Sequence, residues 1–179
     1  TFGLPPGRSG EADCIRLAWL DTTLGPMVAG ATDSGVCLLD FTDRRMLEHQ
    51  LVAVRRRFKA GLAPGRHPHL TMLRKELGEY FAGTRQVFTV PLDMRGTPFE
   101  MTVWRALQEI PYGETRSYTA MARRVRNPTA VRAVGRANGL NPISIVVPCH
   151  RVLSKNGDLT GYGGGLWRKR RLLHLEAAG

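Results

Sequence analysis

The sequence predicts an α/β N-terminal half followed by a mainly α-helical C-terminal half that contains a helix-turn-helix. Three observations support this prediction: short apolar runs split by turn residues, apolar residues at helical spacing further along, and two short helical segments joined by a tight turn. The 179 residues suffice for one sizeable core or two small domains. We expect a linker or tail over residues 1–12, an α/β domain over 13–95 and a second domain over 96–179.

The expected N-terminal domain combines strands with two helices. Apolar runs over 14–19, 27–32 and 35–41 predict a small antiparallel sheet, and residues 87–92 predict one more strand. Apolar residues at helical spacing indicate the helices, the first at positions 47, 51, 54 and 58 and the second at 73, 77, 80 and 81. The segment 60–68 between them is rich in Gly, Pro and Arg and is expected to be a loop.

The C-terminal half starts with a strong helix signal. The motif T-P-F-E at 97–100 offers an N-cap, a proline at the first helical position and a glutamate that closes a capping box. Pro111 ends this helix, and Ser117 can cap a short helix over 118–125. A third helix over 127–139 completes the predicted helix-turn-helix. The pattern also predicts a buried strand or extended run over 143–147 and a closing helix over 166–176.

Composition narrows the class of protein. Lys and Arg total 26 against 15 acidic residues, which gives a net charge of +11. A field of that sign attracts polyanions, nucleic acid above all, although charge alone does not separate a DNA-binding protein from a merely basic one. No apolar run is long enough to cross a bilayer, and residues 1–12 lack a secretory pattern. Because the chain does not begin with Met, we expect that it is processed or cut from a longer protein.

The cysteines indicate a reducing compartment, because a set of three is both small and odd in number, which argues against a disulfide framework. Cys149 follows an apolar run and is flanked by Pro148 and His150. A lone cysteine is more often a small buried hydrophobe, but a nucleophile needs a base or positive surroundings to become a thiolate. His150 is a candidate base, although neighbours on an extended chain point opposite ways, and a bridging water is the alternative to a direct bond. Glu176 is one candidate for orienting that histidine.

The second helix of the predicted helix-turn-helix carries a separate indication of DNA binding. Arg132 and Arg136 are four residues apart and share one face. Ala133 and Gly135 are small, so the backbone of this helix could approach DNA closely. A solvated arginine face on a core helix is the simpler interpretation, but a helix that is both basic and lined with small residues is less common.

Together these features resemble the O6-alkylguanine-DNA alkyltransferases, in particular the C-terminal half of Ada-type repair proteins. The most specific match is the P-C-H-R motif at 148–151, preceded by N-P at 141–142 and an apolar run, behind an R-A-V-G helix at 132–135. The resemblance is dense over 87–176 and looser but continuous from about residue 15. Other matching stretches are 96–104, 110–118, 161–162 and 172–176.

The resemblance implies both a fold and an activity. It implies a ribonuclease-H-like α/β N-terminal domain and a winged-helix-type C-terminal domain. It also implies DNA repair by irreversible, single-turnover transfer of an alkyl group, usually methyl, from O6 of a flipped-out guanine to Cys149, with O4-alkylthymine left open as a second substrate. Such a protein is expected to be a monomer that contacts double-stranded DNA through the minor groove. We expect no cofactor, no metal, no membrane and no obligate protein partner, and a cytoplasmic location that is nucleoid-associated in a bacterium.

Residue roles carry over by position. Cys149 resembles the alkyl acceptor, His150 the water-assisted base and Glu176 the acid that orients that base. Asn141 resembles the hinge residue that braces the turn before the active-site strand, and Tyr118 the residue that pushes the nucleotide's phosphate and helps to protonate the departing base. Arg132 resembles the residue that fills the vacated base stack. The remaining DNA-contacting residues implied are Thr119, Asn127 and Ala133, and the implied base pocket is Val152, Tyr162, Gly163 and Ser144.

Two pocket positions depart from the family. Ser144 stands where a proline is frequent, and Gly163 stands where a serine or larger residue is common. We expect the glycines at 163–165 to leave volume in the pocket, which favours reaction with a bulky benzyl adduct.

Three other functions compete with alkyl transfer. A module that binds alkylated DNA without reacting would lack the acceptor cysteine, whereas Cys149 is present. A transcription factor would use the helix-turn-helix to recognise sequence, but the regulatory cysteine cluster and AraC-like helices of Ada-type proteins are absent from these residues. A cysteine hydrolase would turn over repeatedly, and no oxyanion-hole motif supports that.

Overall fold

The structure is a computed structural model that describes residues 14–179, so the tail expected over 1–12 lies outside the described residues. A four-stranded sheet with the strand order β3-β2-β1-β4 forms its first layer. The strands are β1 (Cys14–Leu20), β2 (Met27–Thr32), β3 (Gly35–Phe41) and β4 (Gly61–Pro64). The first three pair in antiparallel fashion, as the sequence predicts, but β4 pairs in parallel with β1 and makes the sheet mixed.

Two predictions about this sheet are wrong. The expected loop over 60–68 contains the edge strand β4. This strand has only four residues and includes a Gly and a Pro, which are typical of turns, so its sequence does not indicate a strand. Residues 87–92 do not form a strand, although Leu92 makes a single bridge to Val36. The physical reason is that Glu76 takes the place of a neighbouring strand: its carboxylate accepts the backbone N–H groups of Thr89 at 2.9 Å and Val90 at 3.1 Å.

Helices cover both faces of the sheet. Helix α1 (Leu47–Phe58) packs Val54 into an apolar cluster with residues such as Ile15 and Leu38. Helix α2 (Pro68–Phe81) packs on β2 and β3 and contributes Tyr80 to the main core. That main core continues into the C-terminal half of the chain, so residues from both halves bury apolar surface against each other.

The C-terminal helices begin where their local sequence predicts, with one exception. Both halves of the capping box at α3 (Pro98–Gln108) are present, which confirms that prediction. Ser117 caps α4 (Tyr118–Arg124) by accepting from Ala120 N. Helix α5 (Val131–Gly139) starts later than expected, because 127–130 form a turn closed by Ala130 N and Asn127 O. The remaining elements are the parallel pair β5 (Arg116–Ser117) and β6 (Val152–Leu153), and α6 (Leu166–Ala177).

The segment before Cys149 is a compact turn, so the expected strand over 143–147 is wrong. Only one bridge joins it to the sheet, between Ile143 and Leu39. Ile145 adopts φ 73°, a left-handed conformation that is costly for a β-branched residue and would break any strand. Cys149–Arg151 then form a single 3-10 turn. This turn carries the site described next.

Candidate active site

Cys149 lies at the floor of a cavity between α5 and the segment that precedes α6. Its side chain is buried, with 5% of the residue exposed. The cavity measures about 340 Å³, and residues of α4 and α5, the two helices of the helix-turn-helix, form part of its lining. Its other lining residues are Arg44, Arg45, Met46, Tyr118, Gly135, Asn138, Gly139, Ser144, Gly161, Tyr162 and Gly163.

Asn141 braces the turn that presents Cys149. Its Nδ2 donates to Val147 O at 2.8 Å, and its Oδ1 accepts from Ile143 N at 3.0 Å. These two bonds span the segment in which Ile145 holds its strained φ angle, and strain of this kind persists only where surrounding contacts fix it. The position of the Cys149 sulfur therefore depends on a side chain eight positions earlier in the chain.

His150 and Glu176 form a fully buried pair behind the cysteine. His150 Nε2 lies 2.7 Å from Glu176 Oε1. The same carboxylate accepts from Tyr80 OH at 2.7 Å and from the Arg151 guanidinium at 2.9 Å on each of its oxygens. Burial raises the pKa of Glu176, but the hydrogen bonds from His150 and Arg151 outweigh it and hold that pKa at about 2. Glu176 is therefore a carboxylate at neutral pH.

This pairing determines where the proton of His150 sits. An ionised carboxylate can only accept, so Nε2 carries the hydrogen and Nδ1 keeps its lone pair. Nδ1 is buried and has no hydrogen-bond partner among residues 14–179. Burial lowers the pKa of His150, which keeps the ring neutral although Glu176 opposes the shift. The site thus holds a neutral imidazole with an available basic nitrogen.

Cys149 is a thiol at rest rather than a thiolate. Burial raises its pKa, and this outweighs the hydrogen bond with Asn141 and the nearby charges of Arg44 and Lys169, which lower it. The structure has no direct hydrogen bond between Cys149 and His150. The two residues share a 3-10 turn, so the extended chain assumed from the sequence is wrong. A proton can pass from sulfur to Nδ1 only through an intervening group such as water.

Three of the four expected base-pocket residues line the cavity: Ser144, Tyr162 and Gly163. Val152 does not, because its side chain is buried in the core. Its carbonyl accepts from Lys169 Nζ at 2.6 Å, and the same ammonium group bonds Thr160 O at 2.9 Å. Lys169 is itself buried, which lowers its pKa to about 8. It ties β6 to the segment that walls the cavity.

Tyr118 lines the cavity from the first turn of α4. Its hydroxyl donates to Thr160 O at 3.3 Å. Burial raises its pKa, and a thiolate at Cys149 would raise it further. Tyr118 is therefore a neutral phenol at physiological pH and retains a proton that it can donate.

The expected free volume beside the glycines is occupied, so that expectation is wrong. A Cβ atom at Gly163 would lie 2.5 Å from Arg44 Cζ. A Cβ atom at Gly164 would lie 2.8 Å from Phe41 Cδ2. The glycines therefore let this segment pack closely on N-terminal side chains, and they add no open space to the pocket.

The expected DNA-contacting residues lie on the outer side of the two helices beside the cavity. Arg132 and Ala133 are exposed on the first turn of α5, and Asn127 is exposed in the preceding turn. Thr119 is half-buried in the first turn of α4. Gly135 lines the cavity next to the Tyr118 ring, where an added Cβ would lie 3.9 Å from ring carbons. Arg132 stands three residues before Gly135 on α5, so it lies about one helical turn from the cavity wall.

Sequence reasoning missed several residues of the site. The sequence pattern indicates only that Tyr80 is an apolar position of a helix, yet its hydroxyl donates to Glu176. Arg151 appears in the sequence only as part of the P-C-H-R motif, yet its guanidinium pairs with the same carboxylate. Arg44 and Asp40 come from the N-terminal half, and their opposite charges four residues apart were the available clue.

Among the described residues, no group of three or more His, Cys, Asp or Glu side chains is arranged to hold a metal ion. Cys14, Cys37 and Cys149 are all free thiols. Within residues 14–179, no helix has the length and apolar character needed to cross a membrane.

Comparison with known proteins identifies the family of this chain. Residues 98–178 match the family described as 6-O-methylguanine DNA methyltransferase, DNA binding domain. A methylated-DNA–protein-cysteine methyltransferase of Mycobacterium bovis is 46% identical over 162 residues, 90% of this chain and 92% of that protein. A protein of the same name from Mycolicibacterium paratuberculosis is 62% identical over 102 residues, which span 57% of this chain and 62% of that relative. The chain belongs to the methylated-DNA–protein-cysteine methyltransferase family.

Solved structures agree with this assignment. A crystal structure of the Mycobacterium tuberculosis O6-methylguanine methyltransferase superposes with a TM-score of 0.78 at 41% identity, covering 92% of this chain and 93% of that one. A crystal structure of Mycobacterium tuberculosis OGT in complex with DNA gives a TM-score of 0.77 at 42% identity with the same coverage. The mixed sheet with flanking helices is thus the fold of these proteins.

Proposed function

We propose that this protein repairs DNA by moving an alkyl group, usually methyl, from O6 of guanine to Cys149, once per molecule. The observation that carries the proposal is the buried Cys149 beside a neutral His150 whose Nε2–H is fixed by Glu176. The relatives in Mycobacterium bovis and Bacillus subtilis are named for this reaction, which adds support. A lone buried cysteine without such a partner would be inert.

The chemical step is a single displacement. A water between Sγ and Nδ1 relays the thiol proton to His150, and Glu176 stabilises the imidazolium that forms. The sulfur of Cys149 attacks the alkyl carbon, so an S–C bond forms while the C–O6 bond breaks and its electron pair leaves with the guanine. Tyr118 donates its phenol proton to that anion. The product is a thioether, which has no carbonyl for water to attack, so Cys149 is not regenerated.

The guanine must leave the helix to reach the sulfur. O6 of a stacked base is out of reach of a buried thiol, and extrusion costs a few kcal/mol. We assign Arg132 to the vacated position in the stack, which offsets part of that cost. We assign Thr119 and Ala133, on the first turns of α4 and α5, to contacts with the minor groove, together with Asn127 in the turn between these helices.

The base is held by the cavity that contains Cys149. We assign Tyr162, Ser144 and Gly163 to its walls, because all three line it. Val152 takes part indirectly, because the Lys169 ammonium group that bonds its carbonyl also bonds Thr160 O, next to Gly161 in the cavity wall. Asn141 acts by holding the turn that presents the sulfur.

Several finer assignments complete the proposal. We assign residues 13–95 to a ribonuclease-H-like domain and 96–179 to a winged-helix-type domain; the β-sheet with helices on both faces and the adjacent α4 and α5 are consistent with this. The protein is assigned to the cytoplasm, at the nucleoid in a bacterium, as a monomer without cofactor or obligate protein partner. O4-alkylthymine remains a second candidate substrate of the same pocket.

A gel-shift comparison tests transfer against binding alone. Duplex DNA with and without O6-methylguanine is mixed with the wild-type protein and with Cys149→Ser. Transfer predicts that the wild type converts O6-methylguanine in the duplex to guanine. Cys149→Ser should bind the modified duplex and leave its methyl group in place. A wild-type protein that binds the modified duplex tightly without consuming the methyl group would instead be a recognition module.

A further inference from the structure

Arg44 reaches the cavity of Cys149 from the N-terminal half of the chain. It lies between β3 and α1 and is one of the lining residues. Its Nη1 donates to Asp40 Oδ2 at 2.6 Å, and its Nη2 donates to Gly139 O at the end of α5 at 2.5 Å. The side chain is 6% exposed and that of Asp40 is 0% exposed. Arg44 is far from Cys149 in sequence, but hydrogen bonds from both terminal nitrogens of its guanidinium hold it in the cavity of Cys149.

Asp40 is itself held in place. Its Oδ1 accepts from Phe41 N at 3.0 Å and from Ser144 Oγ at 3.4 Å. Ser144, which replaces a frequent proline, therefore connects the active-site turn to the Arg44–Asp40 pair. Displacing Arg44 would leave a buried carboxylate without its counter-charge, which is strongly unfavourable. Arg44 consequently behaves as a rigid wall rather than as a mobile surface side chain.

The cavity segment at Gly163 packs directly against this guanidinium. Gly163 packs so closely that an added Cβ would lie 2.5 Å from Arg44 Cζ and 2.6 Å from its Nε. Gly163 does not have a positive φ, so backbone conformation does not require glycine there. The glycine is explained by the presence of Arg44, which fills the space that a larger side chain would take.

The Nε atom of Arg44 is enclosed rather than open to the cavity. It is buried and has no hydrogen-bond partner in the part of the chain that the structure describes. Gly163 lies against it, so that an added Cβ would stand 2.6 Å away. The guanidinium is therefore part of the cavity wall, held by hydrogen bonds on its terminal nitrogens and covered by Gly163 at Nε.

We propose that Arg44 is a specificity-determining residue that limits the size of the alkyl group that can reach Cys149. The inference rests on the proposed transfer reaction and uses the same bond changes: the S–C bond forms and the C–O6 bond breaks. A methyl group needs little room beyond the base, whereas a benzyl group needs the space that Arg44 occupies. The wild-type protein is thus expected to react with a methyl adduct much faster than with a benzyl adduct.

The test compares two rate constants in each protein. Methyl transfer from duplex O6-methylguanine and inactivation by free O6-benzylguanine are measured for the wild type and for the double variant Asp40→Asn/Arg44→Ala. The double variant removes one positive and one negative charge together, so no buried charge is left unpaired. Arg44→Lys is a second variant that keeps the pair with Asp40 while narrowing the head group. Arg57→Ala, which breaks the half-buried pair with Glu100 outside the cavity, is the matched control.

We expect the ratio of the benzyl rate to the methyl rate to rise about tenfold or more in the double variant and less in Arg44→Lys, since steric discrimination in pockets is typically about 10- to 200-fold. Arg57→Ala should keep the wild-type ratio. An unchanged ratio in a folded Arg44→Lys and a folded double variant would overturn the proposal. A wild-type protein that transfers no methyl group at all would overturn the proposed function instead.

Discussion

The hydroxyl of Tyr80 offers a sharp test of how the buried Glu176 is stabilised. Tyr80→Phe removes one donor at 2.7 Å from Glu176 Oε1 and keeps the ring that packs in the core. Glu176 retains His150 and Arg151 as partners. A hydrogen bond to a charged group contributes about 1.5–3 kcal/mol. We therefore expect the free energy of unfolding at pH 7 to fall by about 2 kcal/mol, and the Tm by about 4–8 °C for a protein of this size.

The effect should depend on pH in a defined direction. The pKa of Glu176 is lowered from its usual 4.5 to about 2 in the folded state. Stability from this group is therefore fully present above pH 4.5 and is lost as the pH falls through about 2, a total of about 3 kcal/mol. Because Tyr80 bonds mainly the ionised carboxylate, the difference between wild type and Tyr80→Phe should be largest above pH 4.5 and should shrink below it.

Urea unfolding at pH 7, 4 and 3 measures this difference. Tyr112→Phe is the matched control, since Tyr112 contacts Tyr80 edge-on but its hydroxyl lies 3.5 Å from Leu175 O and does not bond Glu176. The control should lose well under 1 kcal/mol. Equal losses for the two variants at pH 7, or a Tyr80→Phe loss that does not change with pH, would refute this account of the Glu176 network.

Three further substitutions test the proposed roles. Arg132→Ala should slow repair of duplex DNA far more than reaction with the free base, and equal slowing on both substrates would show that Arg132 does not assist flipping. Tyr118→Phe should slow both reactions by about 100-fold or more, as expected for loss of a general acid, and a change confined to duplex DNA would contradict proton donation. Asn141→Ala removes two hydrogen bonds from a strained turn and should lower the free energy of unfolding by about 2 kcal/mol as well as slow transfer; a normally stable but slow variant would point to a role beyond bracing.

The parts of the fold that could be predicted are those specified locally. The capping box at Thr97 and Glu100 and the N-cap at Ser117 determine where two helices begin, and both lie in their own sequence neighbourhood. The edge strand β4 could not be predicted, because its pairing with β1 joins residues far apart in the chain. Residues 87–92 have strand-like composition, but their N–H groups bond the side chain of Glu76, which no local pattern indicates.

The same distinction between local and long-range contacts applies to the residues of the site. Cys149, His150 and the turn that Asn141 braces are close in sequence, so their proximity could be predicted. Tyr80 and Arg44 reach the site only because the N-terminal sheet and its helices pack on the C-terminal half. From the sequence alone, Tyr80 cannot be distinguished from an ordinary core tyrosine, and Arg44 cannot be distinguished from an ordinary surface arginine. The expectation of free volume at Gly163 is wrong for the same reason, because Arg44, which is distant in sequence, fills that volume.

Intact-mass spectrometry combined with peptide mapping tests the central claim most directly. The protein is mixed with an excess of duplex DNA containing O6-methylguanine, and its mass is followed until no further change occurs. We expect each chain to gain the mass of one methyl group, mapped to Cys149, and then to stop reacting. A methyl group on Cys14 or Cys37, continued consumption of substrate after one event per chain, or an unmodified protein would contradict the account.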